Sequence, residues 1–431
     1  MRDGRYTPGA GTGTLVLLAA TAVALVSAGG GGPDGPASQE TAHMAAVAQR
    51  AAPATARRVE RLRGLDFETV PNPEVITSAE LGRFEQRELR RRDPRPGLAA
   101  DEATARIAGL LAGDEELENA FGSSEELAAA AYDPRGDRLF LVEDSAVGSP
   151  AFVEFILAHE LTHALEDQHF GLGDPAAIEN DDAALALLAL TEGTATALMV
   201  DYGIEHLSPL DLAAIEVDES TGDVPSFVVD QLEWTYFGGM RFVKRLHELA
   251  DGWKLVDYAL AHRAPASTEQ VLHPVKYVRD ERPVRVAIDS GGLRHRGWRL
   301  ADSGSIGELA TRKLLELGQP GDAAGRAAAG WDGDRFELWR ADVAPAECAG
   351  TCRGELVLAM KWQLETTADA ADLANALGRY ARDGLDGYRT GGAFQLDDGA
   401  LAIDGAGATA TAVFAPTRAL AEAVAGDQLG G

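Results

Sequence analysis

The chain of 431 residues is 45% hydrophobic and 25% charged, enough apolar content for two or three packed cores, which argues against a wholly disordered protein. Its 39 Lys+Arg against 68 Asp+Glu give a formal net charge of −29, and that field disfavours nucleic acid and anionic membrane as partners. Basic partners and basic substrates remain compatible with it.

Arg2 and Arg5 precede an apolar run, Leu15 to Val26, and the small residues Ser27 and Ala28 follow it. This is the layout of a secretory signal over 1–28. The run is short for a membrane span, which needs roughly 20 apolar residues. An uncleaved anchor is therefore the weaker reading, and no span is expected after signal cleavage. A secreted location would place Cys348 and Cys352 (ECAGTC) in an oxidising compartment and favour a local disulfide. Two cysteines alone make a poor zinc site.

Residues 29–60, beginning GGGGPDGPASQ, are Gly/Pro/Ala-rich and read as a linker. Folding is expected to start near Leu62, with LDFETV as a short strand and then a helix capped near Thr77 or Ser78. AAAAYDPRGDRLFLVED reads as two strands around the turn Asp133–Asp137. Ser149 supplies an N-cap and Pro150 suits the first helical position, so a helix should run from 150 to 169. A second long helix spans 181–206, and further helices fall around 227–248 and 253–262. After Pro283 the pattern changes to helices mixed with strands such as DRFELWRA and GELVLAMKWQL. The expected class is α+β: a mainly helical unit over 61–300 carrying a small β-hairpin, then a smaller α+β unit over 301–426.

The first long helix carries AHELTHALEDQHF, residues 158–170. Side chains at i and i+4 project from one helix face, so His159 and His163 can aim ring nitrogens at one point, with Glu160 beside it. Two imidazoles and a neighbouring carboxylate are what a zinc hydrolase requires: a metal to polarise a carbonyl and a base to take a proton from water. The third ligand has two candidates. His169 lies ten residues after His159, where H-E-x-x-H-x-x-G-x-x-H peptidases place theirs, but Glu166 replaces the turning glycine. In an unbroken helix His169 sits about 120° around the axis from His163 and about 9 Å further along. Glu192, 29 residues after His163 in LTEGTATAL, is the stronger candidate. Gly193 beside it costs about 1 kcal/mol in a helix interior, which a close crossing of the two long helices would explain. Thr196, one turn on, could support the site from behind, and Asp167 shares a face with His163.

HELTHA with a downstream helical Glu resembles the gluzincin zinc metallopeptidases, thermolysin-like around the metal. AAYDPRGDRLFLVED, LAHELTHALEDQHF, ALTEGTATALM, FGGMRFVKRL and PASTEQVLHPVKY are similar to a family of secreted bacterial gluzincin-like proteins, over roughly residues 62–290. The resemblance implies Zn²⁺ held by His159, His163 and Glu192, with Glu160 as general base of a metalloendopeptidase. Gluzincins often have Asp four residues after the third ligand, where this chain has Thr196.

Stabilising the oxyanion of such a reaction calls for a His, Tyr or Arg from outside the metal helix. His273 is the first candidate and Tyr277 the second, followed by Tyr202, His206 and Tyr236. Glu160-x-x-His163 and Glu166-x-x-His169 also fit a di-iron pattern, but they overlap on one helix, whereas di-iron bundles use separate helices. The alternative of another class is a secreted binding or scaffold protein with a structural or vestigial zinc site.

Overall fold

The computed structural model describes residues 37–91, 98–113, 115–117, 129–143, 149–173, 178, 180–213, 215, 224–341 and 355–427. The expected signal segment, the first part of the expected linker and the ECAGTC cysteines lie outside the described residues.

Residues 37–60, expected as linker, belong instead to helix α1 (Ala37–Arg63). Alanine is the best helix former, and Met44, Ala48, Ala52, Ala56 and Val59 recur at spacings of three and four on one buried face. That face packs on the helix carrying His159. The segment LDFETV is not a strand. The strand comes later, as β1 (Pro73–Ile76), and α2 (Ser78–Arg91) follows it. Thr77 caps α2 through a reciprocal pair: its hydroxyl accepts from the Glu80 N–H, and the Glu80 carboxylate accepts from the Thr77 N–H, both at 3.1 Å. After α3 (Leu98–Ile107) comes the expected hairpin, β2 (Ala130–Asp133) and β3 (Arg138–Val142). β1 pairs parallel to β3, so the sheet order β1-β3-β2 leaves β2 at an edge.

Two interior helices follow. In α4 (Pro150–Phe170) the Ser149 hydroxyl accepts from the Phe152 N–H at 3.3 Å, and Gly171 at φ 65° closes the far end. In α5 (Asp181–His206) the Asn180 side chain accepts from the Ala183 N–H at 2.9 Å. Both are buried on nearly every face, the mark of a core helix. α5 is also long and apolar enough to cross a membrane, but it lies inside the protein. Then come α6 (Pro209–Ala213), α7 (Ser226–Ala250), α8 (Lys254–Ala261), α9 (Thr268–Leu272), α10 (Pro274–Val278) and α11 (Gly291–His295).

The rest of the chain forms β4 (Trp298–Gly304), α12 (Gly307–Glu316), α13 (Gly321–Ala328), β5 (Trp331–Ala341), β6 (Leu356–Leu364), α14 (Thr367–Arg379), a π-helical turn Tyr380–Gly384, β7 (Tyr388–Thr390), β8 (Ala393–Leu396), β9 (Gly399–Ala406), β10 (Thr409–Ala415) and α15 (Arg418–Asp427). Its strands make an antiparallel sheet of order β4-β5-β6-β10-β9-β8-β7. Strand alternation sends Leu358, Trp362 and Phe394 to the α14 face and Val357, Ala359 and Val413 to the α15 face. The class is α+β. The division expected at residue 300 is crossed by packing. Ala103, Ile107 and Ala108 enter the core of the C-terminal sheet, and the Tyr380 hydroxyl donates to the Ala108 carbonyl at 2.7 Å.

Candidate metal centre

α4 and α5 bring His159, His163 and Glu192 together: one ligand atom from each lies within 4.8 Å of the others, and all three residues are buried. The His159 Nε2 stands 3.1 Å from the Glu192 Oε2 and 3.1 Å from the His163 Nε2, and the His163 Nε2 is 3.5 Å from the same carboxylate oxygen. Tetrahedral zinc, with bonds of about 2.0–2.2 Å, sets its ligand atoms about 3.3–3.6 Å apart. The three donors already form nearly that triangle, and two imidazoles with one carboxylate suit a divalent cation.

The electrostatics follow from enclosing these groups together. Burial drives the His159 ring below its ordinary value, with the Glu192 hydrogen bond opposing. Burial also disfavours charge on His163, yet the Glu192 carboxylate outweighs it and the ring is held up at about 9. Glu192 feels the converse, as desolvation is overcome by His163 and His159 and the carboxyl falls to about 2. Glu160 is fully buried, and burial pushes it up to about 8 against the pull of His163. The Tyr132 N–H favours its charged form, but neither carboxylate oxygen has a hydrogen-bond partner at bonding distance. The His159 Nδ1 is likewise buried without a partner.

Other candidates fall elsewhere. His169 faces out of α4 and contacts the Asp66 carbonyl at 2.8 Å. Glu166, at the position of the missing glycine, pairs with Arg63 at 2.7 Å, both side chains fully buried. Thr196 does not support a ligand, because its buried hydroxyl has no partner. Asp167 accepts from the Tyr132 hydroxyl at 3.1 Å and from the Leu172 N–H at 2.9 Å. His273 and Tyr277 have partners other than the three ligands: His273 meets Glu308 at 2.9 Å, and the Tyr277 hydroxyl donates to the Arg263 carbonyl at 2.8 Å. Tyr202 is engaged with Arg58 and Glu154, and the His206 ring packs on Tyr202.

Tyr236 on α7 brings an aromatic ring to the site, with its centroid 5.9 Å from that of His159. It was the last of the sequence candidates. The close crossing that explains Gly193 is also with α7 rather than with α4, because a Cβ on Gly193 would collide with the backbone of Gly239. Gly238-Gly239 inside an otherwise helical run was the signal for this contact.

Comparisons with known proteins name no activity for this chain. A family described as a domain of unknown function (DUF8575) matches residues 298–425, from β4 into α15. No curated relative matches the sequence. Among solved structures, a protein from Chloroflexus aurantiacus, provisionally titled a hydrolase with a novel fold, is 16% identical. The match covers 57% of this chain and 98% of that one at a TM-score of 0.39, too low to transfer a fold or an activity.

Proposed function

We propose that this chain is a secreted, zinc-dependent hydrolase of the gluzincin type that cleaves peptide bonds. One observation carries the reading: His159, His163 and Glu192 converge within 4.8 Å, and Glu160 stands beside them, buried and unpartnered. Zinc, when bound, would supply the Lewis acidity that polarises a carbonyl and a water. The chain's own groups do the rest. Glu160, buried beside the ligands, would take the proton of the attacking water and pass it to the departing amine. The Tyr236 hydroxyl would donate a hydrogen bond to the oxyanion. The secreted location rests on the N-terminal sequence.

The hairpin supports a peptide substrate. β2 pairs with β3 through the Ala129 carbonyl, which accepts from the Val142 N–H at 2.9 Å. By alternation the polar groups of Ala130 and Tyr132 point away from β3, and the Tyr132 N–H is the one that favours charge on Glu160. An extended substrate would add to this edge and run past the metal ligands.

The test is zinc content and peptide cleavage of the purified chain, with Glu160→Gln as control. Zinc near one per chain, retained in the variant while cleavage is lost, is the expected result. A folded protein indifferent to zinc would overturn it. Burial favours a second reading, a structural or vestigial zinc site in a binding protein, since His159, Glu160, His163 and Glu192 are at most 4% exposed. That reading expects retained zinc and no cleavage by the parent chain.

A further inference from the structure

The C-terminal unit holds a second candidate site, which does not depend on the metal reading. A cavity of about 1000 Å³ opens between α13, α14, the π-helical turn and the edge strand β7. Four guanidinium groups line it: Arg326 from α13, Arg379 from the end of α14, Arg382 from the π-helical turn and Arg389 from β7. In a chain of net charge −29 such convergence runs against the general field. π-Helical turns are rare and concentrate at functional sites.

The arginines keep most of their donors. Arg382 is paired in two-point fashion with Asp383, at 2.9 and 2.7 Å. Arg379 uses its Nε on Gln319 at 2.6 Å. Arg389 lies over the Phe394 ring at 5.5 Å. Arg326 makes no hydrogen bond or ion pair among the described residues and is exposed. Asp372 is the carboxylate among the lining residues, so positive charge prevails in the cavity. Guanidinium forks match phosphate and carboxylate oxygens in two-point hydrogen bonds.

Gly378, on the cavity wall, adds an independent sign. It is helical, its φ is not positive, and nothing lies within 4 Å of where its Cβ would stand. Neither packing nor backbone conformation calls for glycine, which costs about 1 kcal/mol relative to alanine in a helix. A side chain there would occupy the cavity itself.

We propose that this cavity binds a polyvalent oxyanion, a small ligand with two or more phosphate or carboxylate groups, through Arg326, Arg379 and Arg389, with Tyr388 and Phe394 against its body. Its volume is at the upper end of the roughly 300–1,000 Å³ of small-molecule sites, more room than a single phosphate fills.

The test is calorimetric titration of the full chain with sodium tripolyphosphate and, separately, with citrate. At least one should bind, and the one that binds more tightly shows whether phosphate or carboxylate is the recognised group. Affinity should fall about tenfold or more in Arg326→Ala/Arg389→Ala, as expected for lost charge-assisted bonds, and on raising the salt. Gly378→Leu should block binding without lowering the melting temperature. No heat from either anion at millimolar concentration would overturn the proposal. So would affinity unchanged in both variants, which is also what chelation at the metal centre would give.

Discussion

Gly193 on α5 and Gly239 on α7 stand backbone against backbone, so close that a Cβ on Gly239 would lie 3.0 Å from the Gly193 Cα. The contact sets the metal centre from one side. Glu192 precedes Gly193, and Tyr236 lies one turn before Gly239 on α7, with its ring 5.9 Å from that of His159. Displacing this crossing would move a ligand and the Tyr236 ring together.

Gly193→Ala should therefore destabilise the protein although alanine favours helix. The propensity gain is about 1 kcal/mol, whereas forcing apart two packed backbones costs about 1–3 kcal/mol or more. A lower urea midpoint and weaker zinc binding are the expected readouts. A variant as stable as the parent would show that α5 and α7 can separate freely.

Arg63 is buried against Glu166 at 2.7 Å and Asp257 at 2.6 Å, and its guanidinium stacks on Trp253 at 4.5 Å. Arg63→Ala leaves the Glu166 carboxyl in the core without its partner and should cost about 3–5 kcal/mol. Arg63→Met with Glu166→Leu should recover most of that loss, because a matched apolar pair has no buried charge to solvate. Denaturant melts of the two single variants and the double variant check this. Additive losses would sink it.

The sequence carried the ligands because their chemistry is local. His159 and His163 share a helix face by spacing, Ser149 and Pro150 start α4, and the unbroken helix turns His169 away. It did not carry α1, because alanine-rich composition suits a linker and a helix equally, and the choice is made by the surface on which Ala48, Ala52 and Ala56 pack. The partner of Gly193 was equally hidden. A glycine in a helix announces a close approach without saying by whom, and Gly239 lies 46 residues further along the chain. The partner of His273 was hidden for a related reason: its ring meets Glu308, a contact between segments that no short motif links.

Asp182 gives the fold a pH dependence that can be measured away from the metal. Burial pushes its carboxyl up to about 7, helped by the charges of Asp334 and Glu269 and opposed by hydrogen bonds from Thr268 at 3.1 Å (N–H) and 2.5 Å (hydroxyl). An unfolded Asp titrates near 3.8, so between that pH and about 7 the folded state holds the extra proton. Stability is then greatest at the acid end of this window and is lost as pH rises through it. One proton sets a limiting slope of about 1.4 kcal/mol per pH unit. Asp182→Asn should flatten the urea midpoint between pH 4 and 7. Glu269, also pushed up to about 7 chiefly by burial, would retain part of the slope.

Tyr236 and His273 make opposite predictions for the proposed hydrolysis. If Tyr236 stabilises the oxyanion, Tyr236→Phe should lower kcat by about 10²–10³-fold, the range for loss of one such donor. KM and zinc content should hardly change, since the ring and the ligands remain. His273→Ala removes a group held by Glu308 at 2.9 Å, and Tyr277→Phe one held by the Arg263 carbonyl. Either loosens the joint between α9, α10 and α12, but kcat of the folded enzyme should stay within a few-fold of the parent. Steady-state kinetics on the three variants separate the cases. A full-strength Tyr236→Phe beside a dead His273→Ala would mean that the oxyanion is met from the α9–α10 side, and the site would have to be rebuilt around His273.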